Sequence, residues 1–171
     1  GFHAVQDQAV RAAIALQEEA GLQAITDGEF RRPSYWARFV ERVEGLEVGE
    51  ALFRFRNADG EETGFTAPHV VAPVRRADSI AGDEFQFLRA NTERTPKVTL
   101  PSPPTMHFWR LGEGIDAAAY GTIDAFFADL AEVYRAELAD LAAAGATYVQ
   151  LDEVPLAMLC DATVREQVAA A

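Results

Sequence analysis

Three short stretches carry the side chains that could do chemistry. In "ITDGEFRRPSYW" (residues 25–36) two acids, Asp27 and Glu29, close an apolar run and are followed by Arg31, Arg32 and two aromatics. A glutamate at the mouth of a sheet can hold a substrate ammonium group through charge-assisted hydrogen bonds. The plainer alternative is a turn at Asp27-Gly28, with Glu29 paired to Arg31 or Arg32 on the surface. In "TLPSPPTMHFWR" (99–110) the prolines are expected to fix an extended loop that positions Thr105, His107 and Trp109. Trp109 is either a stacking wall for a flat ligand or a ring packed on its neighbours. His107 reads as a satisfied loop histidine rather than a catalytic one. In "TYVQLDEVPLAMLCD" (147–161) an apolar strand runs into Asp152 and Glu153, with the single cysteine, Cys160, soon after. The acid pair can face a ligand or cap the next helix. Cys160, at helical spacing with Leu156 and Leu159, is expected to be a small buried thiol.

Other chemistries lack their signatures. There is no Gly-rich phosphate loop, no Gly-x-Ser-x-Gly elbow and no pair of cysteines. His3, His69 and His107 are dispersed, and none stands beside Cys160. A zinc site built from a local motif is therefore excluded, although ligands could still converge from distant segments. A net charge of −12 makes nucleic acid and anionic membranes poor partners. No apolar run approaches the ~20 residues that span a bilayer, and no basic region precedes an apolar one as in a secretory signal. One cysteine cannot close an internal disulfide, which suits a reducing cytoplasm. The first residue is Gly, as at a processed or cut N-terminus.

The elements that must position these residues alternate. "QDQAVRAAIALQEEAG" predicts a helix with Val10, Ala13, Ile14 and Gln17 on one face, Asp7 as its cap and Gly21 as its stop. "LQAITDGE" then predicts a short buried strand. "TIDAFFADLAEVYRAELADLAAAG" predicts a longer helix, with Ile123, Phe126, Phe127, Leu130, Val133, Tyr134, Leu138 and Leu141 at helical spacing and Gly145 as its stop. "TYVQLDE" follows as a strand, so that "AGLQAITDGE" and "AGATYVQLDE" are parallel joints, each a helix feeding a strand that ends in acids. "KVTLPSP" (97–103) is a third strand, and "PLAMLCDATVREQVAAA" predicts a last helix running to the end of the chain. Such alternation argues for a parallel sheet with its chemistry at the carboxyl ends of the strands. With 171 residues, 49% of them hydrophobic, one domain is expected, 1–171. Residues 43–90 interrupt the alternation with a β-hairpin excursion that turns at Asn57-Ala58-Asp59-Gly60.

Three segments, "QEEAGLQAITDGEFRR", "VTLPSPPTMHFW" and "GATYVQLDEVPLAMLCD", together resemble the cobalamin-independent methionine synthase superfamily. The nearest likeness is to its single-barrel, C-terminal-domain-like branch, related to the epoxyalkane–coenzyme M transferases. The resemblance implies a (β/α)8 TIM barrel that moves a methyl group from a methyltetrahydrofolate to a zinc-bound thiol such as homocysteine, and so serves methionine biosynthesis. It places the three strands at about the second, third and fourth of the barrel. It gives Glu29 and Asp152 to the amino-acid thiol, and Thr105 and Trp109 to the folate side. The sequence departs from the synthases proper at Asp27, where they carry histidine, and at Val154-Pro155, where they read Pro-Ala.

The family's His-x-Cys, glutamate and second cysteine for zinc have no counterpart here, so this chain is expected to bind no metal although zinc is expected for a full-length member. A barrel of this kind needs roughly 250 residues, and the chain is expected to be a fragment, inactive alone. Its open strand edges would be covered by partner copies or an intertwined assembly. Two other readings remain: a metal-free barrel lyase like the uroporphyrinogen decarboxylases, with Arg31 and Arg32 pointing inward, and a non-catalytic fragment.

Overall fold

A computed structural model describes residues 1–170. The first helix, α1 (Phe2–Glu19), buries Val10 and Ile14. It begins five residues before Asp7, so Asp7 does not cap it; that carboxylate lies within the helix and pairs with Arg31 instead. Gly21, with φ of 83°, closes the helix: its N–H donates to Glu18 O and that of Leu22 to Gln17 O. Only a residue free of the Cβ penalty reverses the chain there without strain. Strand β1 (Ala24–Ile25) follows, and Ile25 is sealed against Val10, Ile14 and Leu88. Gln17 ties helix to strand, since its side-chain amide pairs with both the N–H and the C=O of Thr26 at 3.0 and 2.9 Å.

After the short α2 (Ala37–Arg42) comes an antiparallel ribbon. Strand β2 (Val43–Glu50) pairs with β5 (Thr66–Arg76), with one irregularity between Glu44 and Leu46. The irregularity lies at Gly45, where φ is 85° and a Cβ would sit 2.5 Å from Ala72 O. Between these strands β3 (Phe55–Arg56) and β4 (Glu62–Thr63) form the smaller hairpin, turning at the expected Asn57–Gly60. Asn57 Oδ1 accepts the N–H groups of Asp59 and Glu61, which is why asparagine suits the turn.

Helix α3 (Gly82–Ala90) leads into β6 (Thr95–Pro101), and α4 (Ile123–Ala143) into β7 (Tyr148–Asp152). The three strands form a parallel sheet in the order β1-β6-β7. The structure is thus mixed α/β around a parallel sheet, as expected. One face of β6, Val98 and Leu100, joins the main core with Phe85, Phe126, Leu130, Val133, Tyr134 and Leu141. Two positions of the expected apolar face of α4 are exposed, Ile123 and Leu138. The fully buried Glu137 takes a place on that face and accepts the N–H groups of Ile80 and Ala81 at 2.9 and 2.8 Å, with Arg76 at 2.9 Å. It holds the two residues that lead into α3, and its buried charge is tolerable because it is paired and hydrogen-bonded.

Two local expectations are corrected. The Pro-rich loop is not extended: Pro103–Met106 and Phe108–Glu113 are 3-10 turns, because proline's fixed φ also suits the first turn of a helix. The last segment is not one helix either. Pro155–Cys160 is a 3-10 turn, Asp161 is extended, and α5 (Ala162–Ala170) starts afresh with Asp161 Oδ1 accepting the N–H groups of Thr163 and Val164. The tighter turn rotates Cys160 off the core face, so the thiol is exposed rather than buried. Among the described residues no helix is long and apolar enough to cross a membrane.

Candidate functional site at the ends of the parallel strands

On the side of the sheet away from α4, β6 and β7 present a row of polar groups. Lys97 Nζ donates to Gln150 Oε1 at 3.0 Å, and Gln150 Nε2 donates to Asp152 Oδ1 at 2.6 Å. Thr99 is the register partner of Gln150, and Pro101 that of Asp152. The two-residue period of the strands, apolar toward the helices and polar on the other side, produces this row.

Glu29 joins it from the turn after β1. Gly28 and Glu29 both have positive φ, 68° and 56°. For glutamate this conformation costs about 1 kcal/mol or more, and the surroundings hold it. Asp27 Oδ1 accepts the Glu29 N–H at 2.9 Å, and Arg32 N–H donates to Glu29 O at 2.9 Å. Thr99 Oγ1 donates to Glu29 Oε1 at 2.6 Å, and Arg32 Nη1 reaches the same oxygen at 3.2 Å.

Arg32 is the hub. Its side chain is 3% exposed, and Nε and Nη2 clasp Glu84 of α3, the closest contact 2.6 Å, while Nη2 also donates to Thr99 O at 3.1 Å. Burial works to lower the Arg32 pKa, but Glu84, then Glu29 and Asp27, raise it above its ordinary value. Burial pushes the Glu84 carboxyl up, and Arg32 pulls it back toward the ionised form.

At the end of β6, Thr105 is fully buried, within 3.2 Å of Ser102 Oγ and 3.4 Å of Tyr35 Oη. Tyr35 also bonds the Trp109 indole, so one hydroxyl links the two residues. Burial raises the Tyr35 pKa, Thr105 and Trp109 lower it, and the nearby charges of Glu153 and Asp152 raise it further. Trp109 is 3% exposed, set edge-to-face against Phe53, Phe65 and Phe108. Its ring packs on the base of the hairpin and, in this structure, does not form an open wall. His107 lies edge-on to Phe126 and Phe127, and burial lowers its pKa to about 4, so it is neutral. Asp152 is half-buried, its backbone C=O accepting Ser102 N–H at 3.0 Å. Glu153 Oε1 accepts the Leu156 N–H at 3.0 Å and so caps the following turn, the plainer of its two roles.

Along the strand ends the structure therefore joins Glu29 to β6 through Thr99, and Thr105 to Trp109 through Tyr35. Asp152 stands beyond, on β7. Arg31 turns away to Asp7 and lies over the Phe87 ring, so of the two arginines required inside by a lyase reading only Arg32 is interior, already bound to carboxylates. Among the described residues no three His, Cys, Asp or Glu side chains are grouped to hold a metal ion. The sequence reading did not single out Thr99, Tyr35, Gln150 or Glu84. Thr99 and Gln150 carried a signal, polar residues at alternate positions of apolar strands; Glu84, 52 residues from Arg32, carried none.

Residues 3–170 match the model of the cobalamin-independent synthase catalytic domain. The chain belongs to the cobalamin-independent methionine synthase family. A methionine synthase from Pyrococcus abyssi is 30% identical over 151 residues, 88% of this chain and 41% of that protein. The Bacillus subtilis protein YxjH is 30% identical over 169 residues, 97% of this chain and 43% of its own length. A 5-methyltetrahydropteroyltriglutamate–homocysteine methyltransferase from a Synechococcus strain is 30% identical over 155 residues, 91% of this chain and 20% of that protein. A solved B12-independent methionine synthase from a Shewanella strain, in complex with selenomethionine, superposes with a TM-score of 0.67 at 25% identity, over 98% of this chain and 49% of that one. A second, from Listeria monocytogenes, shares the fold with a TM-score of 0.70 at 24% identity. This member of the family thus spans less than half the length of these relatives.

Proposed function

We propose that this chain forms part of a (β/α)8 barrel that moves a methyl group from a methyltetrahydrofolate-type donor to a small thiol such as homocysteine, in the cytoplasm. The family match over residues 3–170 supports the reaction class. So do the name of the Synechococcus relative and the selenomethionine held by the Shewanella synthase. The observation that carries the residue assignment is the polar row linking β6 and β7, with Glu29 hydrogen-bonded to it at one end and Asp152 closing the other.

In this reading Glu29 and Asp152 bind and orient the acceptor through its ammonium group, since carboxylates in a half-buried site make the stronger, charge-assisted hydrogen bonds. Thr105 and Trp109 shape the donor side, with Tyr35 holding the two in register. In this reading what the chain supplies is binding and orientation of the acceptor. Ligands for a zinc ion would come from elsewhere in a complete barrel.

Calorimetric titration with L-homocysteine tests the assignment. Glu29→Gln and Asp152→Asn are each expected to weaken binding roughly tenfold or more, the loss of one hydrogen bond to a charged group. Unchanged affinity in both variants overturns the assignment. The 171-residue chain alone is expected to form no methionine from homocysteine and 5-methyltetrahydrofolate; measurable turnover would show that these residues suffice.

A further inference from the structure

We propose that Glu84 and Arg32 are positioning residues that fix Glu29 and preserve its negative charge for a cationic group of the ligand. The inference rests on the acceptor-binding role of Glu29 and adds the part that determines its orientation. The hydrogen bonds Glu29 receives on its carboxylate both go to Oε1, from Thr99 Oγ1 and from Arg32 Nη1. Among the described residues none goes to Oε2, and the side chain is 28% exposed. One oxygen is thus fastened and the other presented.

An arginine beside a binding carboxylate would ordinarily cancel the charge that attracts an ammonium group. Here the Arg32 guanidinium turns Nε and Nη2 to Glu84, whose side chain is 4% exposed, and makes a single contact to the Glu29 carboxylate. Asp27, Glu29 and Glu84 together set three carboxylates against the Arg32 guanidinium and the Lys97 ammonium, which turns to Gln150, so the cluster retains a net negative charge at the strand ends. Among the described residues Asp27 Oδ2 is buried without a hydrogen-bond partner, which adds to that field. Glu84 has a place from which to act because α3 is held at its start by Glu137. The strained backbone of Glu29, held by Asp27 and Arg32, completes a preorganised group.

The test compares L-homocysteine with 4-mercaptobutanoate, which lacks the amino group, by calorimetry on the protein and on Glu84→Gln, Arg32→Met, Arg32→Lys and Thr99→Val. Simple loss of structure weakens both ligands alike, whereas loss of a positioned carboxylate weakens only the amine-bearing one. The preference for homocysteine is expected to fall roughly tenfold in Glu84→Gln and Arg32→Met, with mercaptobutanoate unchanged and partial recovery in Arg32→Lys. Thr99→Val keeps the side-chain shape and removes one donor to Oε1, so it reads the same effect should an ion-pair variant fail to fold. A preference that is lost in Glu29→Gln but intact in Glu84→Gln and Thr99→Val overturns this inference alone. No preference in the unmodified protein overturns the acceptor-binding reading and the inference with it.

Discussion

At the α1–β1 joint and again at the α4–β7 joint the chain makes the same reversal. Gly21 and Gly145 both take positive φ, 83° and 95°. The N–H groups at and after each glycine return to the same two carbonyls of the preceding helix, Glu18 and Gln17 in one case, Ala142 and Leu141 in the other. Each joint then feeds a parallel strand on one side of β6. Beyond that they diverge. The first strand is two residues long and ends in a strained turn whose acid is clamped by a buried arginine. The second runs five residues and holds Asp152 through Gln150, a neutral neighbour on the same strand. Identical caps set the direction of both strands; partners distant in sequence decide how rigid each acid is. The first end is built to fix a carboxylate, the second to leave one adjustable.

The largest expected difference between the two ends lies in their polar clamps. Arg32→Met removes the partner of a buried carboxylate, and a buried charge left alone costs about 3–5 kcal/mol. At the other end Lys97→Met removes a half-buried hydrogen bond to neutral Gln150, worth about 1 kcal/mol. Urea unfolding of both variants measures the contrast. Equal losses would mean that Glu84 and Glu29 find other partners when Arg32 is gone, and the rigid and adjustable ends would then be alike.

The next difference is in response to acid. Helix α1 packs on β1 through Val10, Ile14 and Ile25, with Leu88 of α3 against them, and none of these titrates. Helix α4 is flanked by His107, whose ring meets Phe126 and Phe127 and whose pKa falls from 6.5 to about 4 by burial. Between those values the unfolded chain binds a proton that the folded chain does not. The His107 contribution is therefore complete above pH 6.5 and is lost as pH falls toward 4, on the order of 3 kcal/mol in all. His107→Leu is expected to remove that part of the slope of stability against pH between 6.5 and 4. A slope unchanged by the substitution would place the acid sensitivity elsewhere, in the carboxylate clamps of the first end.

The two ends were not equally legible in the sequence. Both caps, the Asn57–Gly60 turn and the role of Glu153 depend on residues within five positions of one another, and local chemistry specified them. Cys160 failed on the same scale for an identifiable reason, because Pro155 opens a 3-10 turn and the α-helical spacing with Leu156 no longer applies. The rigid end was legible only in half. Glu29 and Arg32 stand in one motif, but the partner that turns Arg32 into a clamp comes from α3, and nothing in "GDEFQFLRA" distinguishes Glu84 from Asp83 beside it. Burial separates them: Glu84 is 3% exposed, whereas Asp83 pairs with Arg38 in the open. The surroundings of Trp109 were hidden likewise, since Phe53 and Phe65 reach it from either side of the hairpin.

The smallest expected difference tests whether the caps are as alike as their hydrogen bonds. Gly21→Ala and Gly145→Ala each force a Cβ into the left-handed region, at about 1 kcal/mol apiece. At residue 21 the new methyl meets nothing within 4 Å among the described residues, so backbone strain is the cost. At residue 145 it would stand 3.0 Å from Arg89 Nη1, which donates to Ala144 O at the end of α4. Arginine's flexible tip can withdraw, at the expense of that exposed hydrogen bond. Gly145→Ala should therefore exceed Gly21→Ala by no more than about 0.5 kcal/mol, the worth of a solvent-accessible contact. Repeating Gly145→Ala in an Arg89→Met background isolates it: the excess should vanish, because the methyl then has no tip to displace. An excess that persists would mean the α4 cap is strained by its fit to the sheet, and the second end would prove the more tightly held of the two.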